Sequence, residues 1–316
     1  MTKKINSGFI ASPDDLSQLK LADASAVRKL ADEINALKNA DLQGRKLVIL
    51  LATGGTVAMA TKKGIRRPTL SWNDMLQVAG NHTEAHFDLR GMSVFSLDSS
   101  QMNYTHTREL AIVICYLWKH IKVPFIGFLV THGTDTMSYS AAAMSLMLGQ
   151  GLPFSIVYTG SQRPPEDPMS DAPINLRHAL YTLEALHSNK ISEVLIVMGE
   201  RAMLGISAEK VDDRAANAFA APRHRYVANF SRMDYPVQLA PWLCPRQRQP
   251  FAPTIWEGDW SQTLVVKSTL GLNPQMLDSQ VNMPLVKAVI LYSYGAGTVD
   301  EKVLNVVAKD ASKRKI

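Results

Sequence analysis

Apolar residues in this chain come in short unbroken runs separated by longer stretches of helical spacing. KLVILLA (46–52), MSVFSL (92–97), PFIGFLV (124–130), FSIVYTG (154–160) and EVLIVM (193–198) are near-continuous, the pattern of strands covered on both faces. Between them, THTRELAIVICYLWKHI (105–121), SYSAAAMSLMLGQG (138–151) and INLRHALYTLEAL (174–186) repeat apolar positions at the spacing of amphipathic helices. The alternation predicts an α/β domain over 46–235, a mostly parallel sheet flanked by helices.

The flanks read differently. Over 1–45, Ser25 is placed to cap a helix whose apolar positions are Val27, Leu30, Ala31, Ile34 and Leu37, so this segment is expected to be a helical extension. Prolines and tryptophans punctuate 236–260, which reads as a linker. Beyond it TLVVKST (263–269) and KAVILYSYGAGT (287–298) are again strand-like, predicting a smaller α/β domain over 261–316.

Composition narrows the classes. A chain of 316 residues can bury a full core without staples. Its two cysteines, Cys115 and Cys244, form neither a disulfide framework nor a metal-ligand spacing, which points to a reducing, cytoplasmic setting. The N-terminus lacks the apolar core of a leader, and no run approaches the roughly 18–20 apolar residues of a membrane span. The net charge is +6, yet apart from KKGIRR (62–67) and the final KDASKRKI the basic residues are scattered. Neither nucleic acid nor membrane is an expected partner.

Ligands of open parallel sheets sit beyond the carboxyl ends of the strands, and the polar clusters fall there. KLVILLA runs into Thr53-Gly54-Gly55-Thr56, MSVFSL into Asp98-Ser99-Ser100-Gln101, PFIGFLV into Thr131-His132-Gly133-Thr134-Asp135, and FSIVYTG into Ser161-Gln162-Arg163. Any one cluster reads equally as helix capping; four on one edge read as a site. The TGGT turn matches no phosphate-loop spacing and holds no basic residue. A threonine nucleophile fits it better, with a carboxylate such as Asp135 and a lysine kept neutral in a dry site as base. His132 reads as a structural residue at a strand end, and Met144 and Met147 as core.

TGGT, DSSQM, HGTDTM, TGSQRP and SDAPIN, in this order, resemble the asparaginase and glutaminase family of amidohydrolases over roughly 46–300. HGTDTMSYSAAAMSLML and ISAEKVDDRAANAFAAP are most similar to its cytoplasmic, type I branch. The resemblance implies a first nucleophilic threonine at Thr56 and a second group of Thr134, Asp135 and Lys210. It implies Ser99 and Ser100 on the substrate α-carboxylate, Asp135 near its α-ammonium, and Gly55 and Gly133 among the substrate-binding residues. It further implies L-asparagine as substrate with L-glutamine as a second, no metal or organic cofactor, and a homo-oligomer, dimer or tetramer.

Three departures bear on activity. The family's lid tyrosine is absent: none occurs between Val57 and Asn103, and Ile65 stands about where it belongs. Its SDG is Ser170-Asp171-Ala172, testing a position where the backbone favours positive φ. Its second-domain G-x-G-N is Gly295-Ala296-Gly297-Thr298, about 18 residues before the last residue. Two rivals follow: a catalytically impaired homologue binding a small amino acid or a protein, and the amidase component of a tRNA-dependent amidotransferase.

Overall fold

The computed structural model describes residues 12–62, 65–68, 72–80, 85–231, 236–243, 245, 249–257 and 260–314. They divide into two compact units, Met1–Trp256 and Glu257–Ile316.

The first unit is organised by a seven-stranded sheet. Its parallel strands are β1 (Lys46–Gly54), β4 (Phe87–Leu97), β5 (Gly127–Thr131), β6 (Ser155–Thr159) and β7 (Val194–Met198). Beyond β7 the sheet continues with antiparallel β8 (Arg201–Leu204) and β11 (Ala228–Asn229). The order across it is β11-β8-β7-β6-β5-β1-β4. The chain is therefore α/β with a mainly parallel sheet, as the apolar runs predict. Every residue of β5, β6 and β7 is buried, which is why these strands read as unbroken apolar runs.

Helices cover both faces. On one side α1 (Ala24–Asn35), α4 (Tyr104–His120) and α5 (Met137–Leu148) pack over Ile49, Phe128, Tyr158 and Ile196. On the other, α3 (Trp72–Ala79) and α6 (Ala172–Ser188) pack over Val48, Leu50, Leu129 and Val157. The alternating parity of strand residues sends neighbours to opposite cores. A short α2 (Asn39–Leu42) leads into β1.

The N-terminal helix forms as its spacing predicts, but its cap differs. Asp23, not Ser25, caps α1: its carboxylate accepts from the amides of Ser25 and Ala26 and from the Ser25 hydroxyl, and the helix starts at Ala24. Val27, Leu30, Ala31 and Ile34 are buried, each worth about 1.5–3 kcal/mol for a large aliphatic side chain. Glu109 on α4, wholly buried, accepts from the amides of Lys20, Leu21 and Ala22, each at 2.9 Å. That carboxylate ties the extension to the body.

Residues 236–256 belong to the first unit. Phe251 sits edge-on to Trp118 and near Phe154, and the Thr254 amide donates to the Met147 carbonyl. The second unit pairs β12 (Thr263–Lys267) in parallel with β13 (Ala288–Tyr292). Helices α7 (Pro274–Val281) and α8 (Glu301–Arg314) contribute Leu277, Val281 and Val303 to a core around Val266. Cys115 is buried on α4, where desolvation pushes its thiol up to about 12; Cys244 lies outside the described residues. Among the described residues no helix is long and apolar enough to cross a membrane.

Candidate active site

The carboxyl ends of β1, β4 and β5 converge, with glycines after β1 and β5 at the points of contact. β1 is bulged between Ala52 and Gly54 relative to β4, which turns its end away from the ladder. Gly54 and Gly55 then have φ of +103° and +79°, and the Gly55 amide donates to the Leu97 carbonyl at 2.9 Å. A Cβ on Gly55 would overlap the Gly133 backbone, and one on Gly133 would lie 2.5 Å from the Ser99 Cβ. The loops of Gly55 and Gly133 thus stack backbone on backbone, and the Ser99 side chain packs directly against Gly133. Thr56 and Thr134, the residues after the two touching glycines, leave the sheet from one place.

Thr56 opens a 3-10 turn, Thr56–Ala58, and is half-buried. After it, β2 (Met59–Lys62) pairs antiparallel with β3 (Ile65–Pro68), Lys62 opposite Ile65. Lys63 and Gly64 lie outside the described residues.

Thr134 is 6% exposed, and its Oγ1 accepts from Lys210 Nζ at 2.9 Å. The same Nζ donates to Asp135 Oδ1 at 2.6 Å. The lysine side chain is 18% exposed and the aspartate 59%, so the ammonium is shielded while the carboxylate keeps a free face toward solvent. Lys210 arrives on a two-stranded hairpin, β9 (Glu209–Lys210) with β10 (Phe219–Ala220), in which Phe219 pairs Lys210. Phe219 is fully buried and anchors the ribbon.

Ser99 is buried; its Oγ accepts from the Asp135 amide at 3.3 Å and its carbonyl from the Thr136 hydroxyl at 2.8 Å. Ser100 is exposed, and its amide and hydroxyl both bond Asp98, bonds that lower the Asp98 carboxyl pKa. Capping therefore accounts for Asp98. It does not account for Asp135, whose carboxylate goes to Lys210.

His132 is fully buried and its Nδ1 donates to the Gly133 carbonyl at 2.7 Å; burial lowers its pKa to about 4. A neutral ring locked to its own loop holds the backbone beside Thr134. Thr53 ties the same loop from the other strand, its hydroxyl donating to the Thr131 carbonyl at 3.0 Å.

Local pattern does not single out Asp171. Its carboxylate accepts from the amides of Gln162 and Arg163 and from Asn175 Nδ2, closing the loop after β6. Asn175 also bonds the Gly160 carbonyl and the Gly199 amide, so one buried amide joins the ends of β6 and β7. An aspartate before an apolar helical pattern reads as a cap, and that reading hides the role. Ala172 starts α6 and is absent from the residues with positive φ. In the second unit, Thr298 lines a cavity of about 450 Å³ with Ser268, Tyr294 and Asp300. No group of three or more histidine, cysteine, aspartate or glutamate residues suited to a metal occurs among the described residues.

Comparison with known proteins adds to this geometry. The family model for the asparaginase N-terminal domain matches residues 47–242. An L-asparaginase of Thermococcus kodakarensis is 26% identical over 273 residues, covering 85% of this chain and 78% of that one. The solved structure of the thermostable L-asparaginase from Thermococcus kodakarensis superposes with a TM-score of 0.71, over 84% of this chain and 77% of that one. One component chain of a glutamyl-tRNA(Gln) amidotransferase from Methanosphaera stadtmanae is 30% identical over 197 residues, 62% of this chain and 42% of that protein.

Proposed function

Because the chain belongs to the asparaginase family, we propose that it hydrolyses the side-chain amide of L-asparagine, with L-glutamine as a second substrate, through a threonine nucleophile. The observation that carries this reading is Lys210 Nζ held between Thr134 Oγ1 and Asp135 Oδ1, beside the touching Gly55 and Gly133.

A small amino-acid amide brings one cation and one anion, which call for fixed partners at matching separation. The free face of Asp135 suits the α-ammonium; the Ser99 and Ser100 turn suits the α-carboxylate. Thr56 Oγ1 bonds the amide carbon as its hydroxyl proton passes to the Thr134 and Lys210 pair, and collapse of the adduct breaks the C–N bond. Thr134 and Lys210 pass a proton to the departing nitrogen, which leaves as ammonia. Water cleaves the ester and frees the acid and the threonine. In this reading Gly55 and Gly133 supply backbone at closest approach, no cofactor is required, and the working form is a cytoplasmic homo-oligomer.

The test is ammonia release from both amides by the purified chain beside Thr56→Ala and Lys210→Ala. Release that both substitutions abolish supports the reading; release that survives them removes the assigned chemistry. A second reading, an impaired homologue that binds a small amino acid or a protein, is favoured by the absence of tyrosine from 57–103. It predicts tight binding of the amino acid with no ammonia.

A further inference from the structure

The carboxyl ends of β5 and β6 hold buried polar atoms that the proposed chemistry does not use. Thr131 Oγ1, His132 Nε2, Tyr158 Oη, Ser161 Oγ and Gln162 Nε2 are enclosed, and among the described residues none has a hydrogen-bond partner. Two of them are complementary. A carbonyl only accepts, so the bond from His132 Nδ1 to the Gly133 carbonyl puts the ring proton on Nδ1. Burial keeps the ring neutral, which leaves Nε2 as a bare acceptor. The Tyr158 hydroxyl is wholly buried, and burial raises its pKa; it keeps its proton and is a donor.

The register brings the two together. Val130 pairs with Tyr158 across β5 and β6, and His132 lies two residues beyond Val130, on the same face of the sheet. The ring centroids are 5.9 Å apart. A phenylalanine would fill the space of Tyr158 without burying a hydroxyl, so the oxygen asks for a use.

We propose that Tyr158 is a positioning residue for the amide hydrolysis assigned above: its hydroxyl donates, through one internal water, to His132 Nε2, and the ring so steadied holds the Gly133 carbonyl and Thr134. Such a bridge joins a donor and an acceptor beyond direct reach. The link matters because the Gly133–Thr134 peptide is planar, and fixing its carbonyl fixes the entry of the chain into Thr134. The effect on rate rests on the proposed function; the hydrogen bond does not.

The experiment uses the full chain with ¹⁵N-histidine, as wild type, Tyr158→Phe, His132→Asn and the double variant. In Tyr158→Phe the Nε2 resonance should move toward that of a free pyridine-type nitrogen while Nδ1 stays. The kcat for ammonia release should fall about tenfold with KM unchanged. Added to His132→Asn, the same change should cost nothing further. Should Tyr158→Phe fail to fold, fluorotyrosine at position 158, a stronger donor of nearly the same shape, should shift Nε2 in the opposite sense. An Nε2 resonance that ignores both changes, or losses that multiply in the double variant, would overturn the proposal. A folded wild type that releases no ammonia would overturn the proposed function and the rate effect with it, while the nitrogen resonances still decide the hydrogen bond.

Discussion

The backbone of Gly55 lies against that of Gly133, close enough that a Cβ on the first would overlap the second. The contact joins the loops that carry Thr56 and Thr134, and at Gly55 it coincides with a φ of +79°. Gly55→Ala therefore meets two penalties, a backbone state disfavoured by about 1–3 kcal/mol and a clash relieved only by moving one loop. Ammonia release should fall below detection, with a lowered melting temperature. Gly80, with φ +88° and open space where its Cβ would go, is the control. Gly80→Ala should meet the backbone penalty alone, about 1–2 kcal/mol, and leave turnover intact; equal losses in both variants would show that the loop contact is irrelevant.

Lys210 Nζ donates to both Thr134 Oγ1 and Asp135 Oδ1. Lys210→Ala should lower kcat by about 10²–10⁴, the range of a lost proton-transfer group. Lys210→Arg should not restore it, because a planar fork cannot replace a compact ammonium between two oxygens. Asp135 is more than half exposed, so Asp135→Asn should change thermal stability by no more than about 1 kcal/mol while raising KM. Steady-state kinetics with melting curves separate these effects.

The parts of the fold legible in the sequence are those whose pattern is local. β5, β6 and β7 are buried throughout and read as unbroken apolar runs, yet the first half of β4 does not read as a strand. Phe87–Gly91 carries Asp88 and Arg90, which interrupt the run; Asp88 is nonetheless 3% exposed, paired with Arg45 at 2.8 Å and Arg90 at 2.7 Å. Charge in a strand signals solvent until its partner is known, and Arg45 is not a neighbour in sequence. β9 and β10 are two residues each, too short for any periodicity, and the bond from Lys210 to Thr134 spans 76 residues. Lys210 is reachable only through resemblance to a family motif. Asp171 is hidden for the opposite reason: local pattern offers capping, a sufficient but wrong account.

Glu109 makes the hold of the N-terminal extension testable. Its buried carboxylate serves three successive amides, Lys20 to Ala22. Glu109→Ala should cost about 2–4 kcal/mol, since three amides, that of Ala22 buried, lose a charged acceptor. Limited proteolysis should then cut within 12–45 well before the sheet is attacked. Glu109→Gln keeps one acceptor oxygen and should fall between. An extension that stays protected in Glu109→Ala would mean that the apolar face of α1 suffices alone.

His132 gives the native state a defined acid limit. Its pKa is lowered to about 4 by burial, against the Gly133 bond that raises it, whereas in the unfolded chain it is about 6.5. Between those values the unfolded chain binds a proton that the native state refuses, so stability drops as pH falls through the window and is fully present above it. The whole difference is on the order of 3 kcal/mol. His178, also lowered by burial, acts in the same direction, so wild type alone cannot assign the effect. His132→Asn can, because asparagine does not titrate and still offers an N–H to the Gly133 carbonyl. Urea midpoints at pH 7 and pH 4.5 should separate in wild type by about 2–3 kcal/mol more than in the variant. Equal pH dependence in the two proteins would mean that the native state accepts the proton on His132, and that the ring is not the neutral brace behind Thr134.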